Sequence, residues 1–215
     1  AEETGLIIAL GKWILEASCK QAKIWQDAGY DPGRIGVNIS GRQFRQGAVI
    51  TLVDDVLAET GLKPEALELE ITESVIMEDI EETFDTFAAL KERNISLAVD
   101  DFGTGYSSLN YLKRFPIAKF KIDRSFVQDI TSDANDAAIA NTIVALAKSL
   151  NVSVIAEGIE TNEQLKMLIE MGCRQGQGFL FSKPLHADEM ELFLAGDASC
   201  QQLLAKARQD STKSA

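Results

Sequence analysis

The chain has 215 residues, 46% hydrophobic and 25% charged, a globular composition long enough for one large core or at most two small ones. With 21 basic against 33 acidic residues its formal charge is −12, which argues against a basic-patch binder of duplex DNA or anionic membrane. Cys19, Cys173 and Cys200 form no C-x-x-C pair and read as free thiols of a reducing, cytoplasmic compartment. No apolar run approaches the roughly 20 residues of a membrane span, and no signal peptide opens the chain.

In chain order, the sequence opens with a helix whose apolar stripe is Leu10, Trp13, Ile14 and Ala17, with Trp13 and Trp25 as core or interface. Strands follow at 34–39 (RIGVNI) and 66–71 (ALELEI), then a helix on Ile80, Phe84, Phe87 and Ala88. Further strands are predicted at 95–100 (ISLAVD) and 118–122 (AKFKI). A long helix comes next on Ile139, Ile143, Leu146, Ala147 and Leu150, then a strand at 152–156 (VSVIA). Thr161 and Gln164 have capping-box form, and Gly172 stands where a left-handed C-terminal residue belongs. The last predicted strand is 176–181 (GQGFLF). Beyond 196 only a detachable tail is expected, with a helix at 201–208 and a polar end; His186, near Pro184, reads as a surface or capping residue.

Alternating strand and helix with short joints means a parallel sheet flanked by helices. Six strands leave two solutions: an open doubly wound sheet, or a (β/α) barrel lacking its first two strands, since a closed barrel needs eight.

The strand ends carry the chemistry. They fall on Asn38, Glu70, Asp100 with Asp101, Lys121, Glu157 and Gln177, and Glu73 and Glu160 each follow a strand-end glutamate by three residues. One polar strand end is commonly a cap or a solvated turn. A succession of six is a rim, and carboxylates crowded together raise one another's pKa until a cation relieves them. Only oxygen donors are offered, which favours Mg²⁺ or Mn²⁺ over zinc, and their number points to two ions, an arrangement suited to in-line attack of water on a phosphodiester. Asp100, central in the set, is the expected bridge. Lys121 either holds the attacking water or a phosphate oxygen, or forms a structural ion pair with a neighbouring carboxylate. The glycine-rich joint DFGTGYSS (101–108) is not G-x-G-x-x-G and reads as a mobile flap and contact surface.

The strings VNIS (37–40), LELEITES (67–74), DDFGTGYSSL (100–109), KIDRSFV (121–127), AEGIET (156–161) and QGFLFSKPL (177–185) together resemble the EAL-domain family of bacterial phosphodiesterases that open cyclic di-GMP to linear pGpG. The resemblance runs to about residue 195. It implies a modified TIM barrel, here missing its first two strands, and a domain over 1–196 that is N-terminally incomplete, with 197–215 as helix and tail. It implies two Mg²⁺ or Mn²⁺ ions held by Asn38, Glu70, Asp100, Asp101 and Glu157, with Lys121, Glu157 and Asp100 catalytic. Gln177, with Asp123 and Arg124 near a guanine edge, would meet the substrate. Glu73 would secure a flap of Phe102, Gly103, Thr104 and Gly105 that also serves a homodimer. Upstream sensory or GGDEF domains are expected in the parent protein. The early-strand Glu-Ala-Leu motif for which the family is named, with its metal-binding glutamate, would lie upstream of the segment that Ala1 to Gly5 resembles, and the Glu65-Ala66-Leu67 string is not that motif; the alternative is therefore a cyclic di-GMP receptor or dimerisation scaffold that does not hydrolyse.

Overall fold

A computed structural model describes residues 6–105 and 109–196. The expected helix at 201–208, Cys200, and Tyr106 to Ser108 of the flap lie outside the described residues. One compact unit comprises the chain through Asp100 together with 105–118; the other comprises 101–104 and the chain from Lys119.

The first unit begins with α1 (Leu6–Asp27), which packs on β1 (Ile35–Asn38) and on α3 (Ala48–Thr60), with the short α2 (Gly41–Phe44) between. Then come β2 (Leu67–Thr72), α4 (Glu73–Glu78), α5 (Ile80–Glu92), β3 (Ser96–Phe102) and α6 (Leu109–Leu112). β1 pairs parallel with β2, and β2 with β3. β2 is apolar on one face through Leu67, Leu69 and Ile71, each 0% exposed, and carries Glu68 and Glu70 on the other. Phe87 meets Phe44 and Phe115 edge-on at 5.5 and 5.4 Å, a geometry that aligns ring edges with ring faces.

Two apolar stripes here differ from those expected. The buried face of α1 is Gly11, Leu15, Cys19, Ala22 and Trp25, whereas Leu10, Trp13 and Ile14 face outward and Trp13 is 64% exposed. The helix has apolar residues on both faces, and periodicity alone does not choose between them; the small residues Gly11, Cys19 and Ala22 let the inner face approach its neighbours closely. In α5 the buried residues are Thr83, Thr86, Phe87 and Leu90, while Ile80 and Phe84 are half-buried. Phe84 sits at the surface under the Arg114 guanidinium, 5.3 Å from the ring centre.

The second unit contains β4 (Lys119–Ile122), α7 (Arg124–Gln128), α8 (Ala134–Leu150), β5 (Ser153–Ala156), α9 (Asn162–Met171), β6 (Gln175–Gly176) and α10 (Ala187–Leu194). β4, β5 and β6 pair parallel in that order. α8 buries Ala140, Ile143, Val144 and Ala147; Ile139, Leu146 and Leu150 of the expected stripe are half-buried. The ends of α9 are those read from sequence. The Thr161 hydroxyl accepts from the Gln164 N–H, Gln164 Oε1 accepts from the Thr161 N–H at 2.9 Å, and Gly172 takes φ 100°. His186 caps α10 through its backbone, whose N–H donates to Glu189 at 3.0 Å.

The sixth strand is shorter than 176–181. Pairing stops after Gly176 because Gly178 lies against another loop: a Cβ there would stand 2.2 Å from the Ile159 carbonyl oxygen. The Gly178 carbonyl then accepts from the Phe181 and Ser182 N–H groups, turning the chain instead of extending it. Cys19 and Cys173 are buried and free, and burial pushes the Cys19 thiol up to about 11. None of the described helices is long and apolar enough to cross a membrane.

Candidate active site

Three expected ligands come from the first unit, and the sheet register aligns them. Asn38, the last residue of β1, stands opposite Glu70 of β2, and Thr72 of β2 stands opposite Asp100 of β3. Side chains two residues apart share a strand face, so Glu70 and Asp100 lie diagonally across one pair of strands on the same face as Asn38. Asn38 is exposed, Glu70 is half-buried, and Asp100 is 9% exposed. Gly36 leaves room for Glu70: a Cβ at that position would lie 2.3 Å from Glu70 Oε1.

Glu73 opens α4 directly after β2 and is 2% exposed. It accepts from the backbone N–H of Gly105 at 3.4 Å. Glu73→Ala should leave that N–H without this acceptor, at a cost of about 1 kcal/mol. The expected result is amide hydrogen exchange at Gly105 about fivefold faster with the global unfolding midpoint little changed; unchanged exchange at Gly105 would show that Glu73 does not restrain the loop.

In the second unit, Lys121 Nζ lies 2.8 Å from Glu157 Oε1, and the two side chains are 6% and 17% exposed. Gln177 Nε2 donates to the same oxygen at 3.1 Å. Glu157 follows β5 and its N–H donates to the Ile122 carbonyl, while the Gln177 N–H donates to Ala156, so backbone pairing holds both residues at the strand ends. Of the two readings left open for Lys121, the ion pair is the one observed, and it also places the ammonium against an expected ligand.

Asp101 departs from the strand pattern. Side chains of consecutive strand residues point to opposite faces, so Asp100 and Asp101 would diverge in regular geometry. Asp101 instead takes φ 52°, a left-handed conformation that aspartate tolerates better than most residues, and its carboxyl lies near that of Asp123. Burial raises the Asp123 carboxyl, but hydrogen bonds from the Ser125 hydroxyl and N–H and from the Arg124 N–H outweigh it, and the group is held below its usual range. Asp123 thereby caps α7. Arg124 pairs with Glu160 at 2.8 Å on the surface, beside a groove of about 350 Å³ that Gln177, Phe179 and Lys183 also line.

Phe102, expected in the flap, is the last residue of β3; it is 4% exposed and stacked face to face on Phe120 at 4.2 Å. The loop leaves after it. Gly103 takes φ 102° above Ile143 and Phe126, where a Cβ would lie 2.9 Å from Ile143 Cδ1, and Thr104 donates its hydroxyl to the Asp101 carbonyl at 2.8 Å.

Among the described residues no three His, Cys, Asp or Glu side chains form a metal-binding cluster. A magnesium-type site takes one or two carboxylates from protein and leaves other positions to water and substrate phosphate. The donors in the first unit, two carboxylates and one amide with no nitrogen or sulfur ligand, match that chemistry.

The EAL domain family model matches residues 1–184 of the chain. The signaling protein YkoW of Bacillus subtilis is 46% identical over 194 residues, covering 90% of this chain and 24% of YkoW. MucR of Pseudomonas aeruginosa, a bifunctional diguanylate cyclase and cyclic di-GMP phosphodiesterase, is 42% identical over 190 residues, 88% of this chain and 28% of MucR. The solved MucR phosphodiesterase in complex with cyclic di-GMP superposes with a TM-score of 0.86 at 42% identity, over 88% of this chain and 77% of that one. A complex of Klebsiella pneumoniae BlrP1 with manganese and cyclic di-GMP gives a TM-score of 0.73 at 31% identity, over 82% and 45%. The chain thus spans about a quarter of the length of these curated relatives. It belongs to the EAL-domain family of cyclic di-GMP phosphodiesterases, and its fold is the mixed α/β, TIM-barrel-like architecture of that family.

Proposed function

We propose that this chain is a divalent-metal-dependent phosphodiesterase that hydrolyses one phosphodiester bond of cyclic di-GMP to give linear pGpG, in bacterial second-messenger signalling. The observation that carries this reading is the register placing Asn38 opposite Glu70 and Asp100 diagonal to Glu70, oxygen donors on one face toward the C-terminal ends of three successive parallel strands. Such strand ends are where barrel enzymes keep their chemistry. Asn38, Glu70, Asp100, Asp101 and Glu157 are the residues that would hold two Mg²⁺ or Mn²⁺ ions. When bound, these ions supply an acidified water and neutralise charge on the phosphate. In the reaction a water oxygen joins phosphorus and a ribose 3′ oxygen leaves, and Lys121 orients the water or a phosphate oxygen. Gln177 holds Glu157 in place through its 3.1 Å hydrogen bond. Arg124 and Asp123 are the proposed contacts to a guanine edge, and residues 102–105 the flap and dimer surface.

The domain is proposed to run to residue 196, with sensory or GGDEF domains elsewhere in the parent protein, in keeping with the length of its relatives. A reducing, cytoplasmic setting is consistent with the buried free thiols of Cys19 and Cys173. The test is incubation of the chain with cyclic di-GMP and Mn²⁺ and chromatography for pGpG. Product that depends on Mn²⁺ is expected. A second reading is favoured by the pairing of Lys121 with Glu157 at 2.8 Å, which occupies the ammonium. It makes the chain a receptor that binds the dinucleotide and returns it intact.

A further inference from the structure

The reaction as proposed uses Asn38 but none of the groups that hold the loop just beyond it. Ile39 is tied to β2, its N–H donating to the Glu70 carbonyl at 2.9 Å. Ser40 then caps α2, and both its N–H and its hydroxyl donate to one atom, Gln43 Oε1, at 3.2 and 2.8 Å. Gln43 is 3% exposed, a rare setting for a glutamine. Its carboxamide fills a notch that α1 opens at Gly11, where a Cβ would stand 2.1 Å from Gln43 Nε2 and 2.4 Å from Oε1.

The orientation of that carboxamide is forced. The Ser40 N–H only donates, so the oxygen must face Ser40 and the NH₂ must face α1. There, among the described residues, Nε2 has no hydrogen-bond partner. A buried donor left unpaired opposes folding, and its retention calls for an explanation beyond packing. We infer that Gln43, seated in the Gly11 notch of α1, is a positioning residue that fixes the loop after β1 and so aims Asn38 at the metal. This rests on the proposal that Asn38 holds a divalent cation. The path is short: α1 locates the carboxamide, the carboxamide holds Ser40 by two hydrogen bonds, and Ser40 stands two residues from Asn38. Partners hydrogen-bonded directly to a metal ligand commonly change metal affinity by 10- to 100-fold when removed; Gln43 acts through Ser40, so the lower end of that range, about tenfold, is the scale expected here.

The experiment titrates the 215-residue chain and its variants with Mn²⁺ alone, following free Mn²⁺ by electron paramagnetic resonance, with thermal unfolding and the kcat and KM for cyclic di-GMP measured alongside. Gln43→Leu keeps much of the volume and removes the acceptor; Mn²⁺ binding is expected to weaken about tenfold, with kcat reduced and KM nearly unchanged. Gly11→Ala should act in the same direction by displacing the carboxamide, although alanine is the better helix former and α1 itself is strengthened. That variant decides the matter if Gln43→Leu fails to fold. Gln43→Glu retains an oxygen acceptor and is expected to bind Mn²⁺ within about twofold of the parent chain.

A folded Gln43→Leu or Gly11→Ala protein with parental Mn²⁺ affinity overturns the inference, as does equal loss in Gln43→Glu. Failure of the parent chain itself to bind Mn²⁺ overturns the reading of Asn38 on which the inference stands.

Discussion

Asp100→Asn is expected to lower turnover of cyclic di-GMP by about three powers of ten while leaving the urea midpoint within experimental error. The substitution is nearly isosteric, and Asp100 lies two residues before the end of β3, where its neighbours, Thr72 opposite and Glu70 diagonal, are held by backbone pairing that a side-chain change does not touch. What it removes is a negative charge at a site only 9% exposed, where charge is worth more than in water. Losing a metal-binding carboxylate is set against about 4 kcal/mol of transition-state stabilisation, which is the stated factor. Steady-state assays with Mn²⁺, paired with denaturant unfolding, check it. A variant that keeps a tenth or more of the parental rate would remove Asp100 from the machinery.

Lys121→Met should behave differently, losing activity and stability together. Lys121 and Glu157 are paired at 2.8 Å, with only 6% and 17% of their side chains exposed. Deleting the lysine leaves the largely desolvated Glu157 carboxylate with the Gln177 amide still donating to it but without this cation, and breaking a buried pair in this way costs about 3 kcal/mol. The expected readout is a lower urea midpoint at unchanged slope. Adding Glu157→Gln should restore part of the lost stability, because the orphaned charge is then gone, but none of the activity. If the double variant is less stable than Lys121→Met alone, the coupling has the wrong sign and the pair is not what the single variant breaks.

The contrast between these variants reflects what the sequence could and could not convey. Asn38 and Asp100 stood out because each follows an apolar residue late in its strand, and Glu70 because it falls on the polar face of an alternating run. The same logic paired Asp101 with Asp100 but was blind to the backbone turn at φ 52° that carries Asp101 toward Asp123. Strand alternation alone would have sent the two carboxylates to opposite faces. The ends of α9 followed from Thr161, Gln164 and Gly172, whose capping chemistry is local. Ser40 and Gln43 show the identical S/T-x-x-Q spacing, so the start of α2 was equally readable. The burial of Gln43 was not, since it depends on a glycine 32 positions earlier. Two features resisted for the same reason. The choice between the two apolar faces of α1, and the shortening of β6 at Gly178, are both settled by contacts with residues far away in the chain.

The two buried thiols have a practical consequence. Cys19 belongs to the first compact unit and Cys173 to the second, and neither is disulfide-bonded. With its thiol pushed up to about 11, Cys19 presents almost no thiolate at neutral pH, and burial raises Cys173 as well. Labelling of either therefore waits for its surroundings to open. With Cys200 replaced by serine, the modification rate at each position becomes a clock for one unit, and the natural sequence supplies both clocks. Whether the two halves of the fold come apart as one cooperative body or in succession can be read from whether they keep the same time.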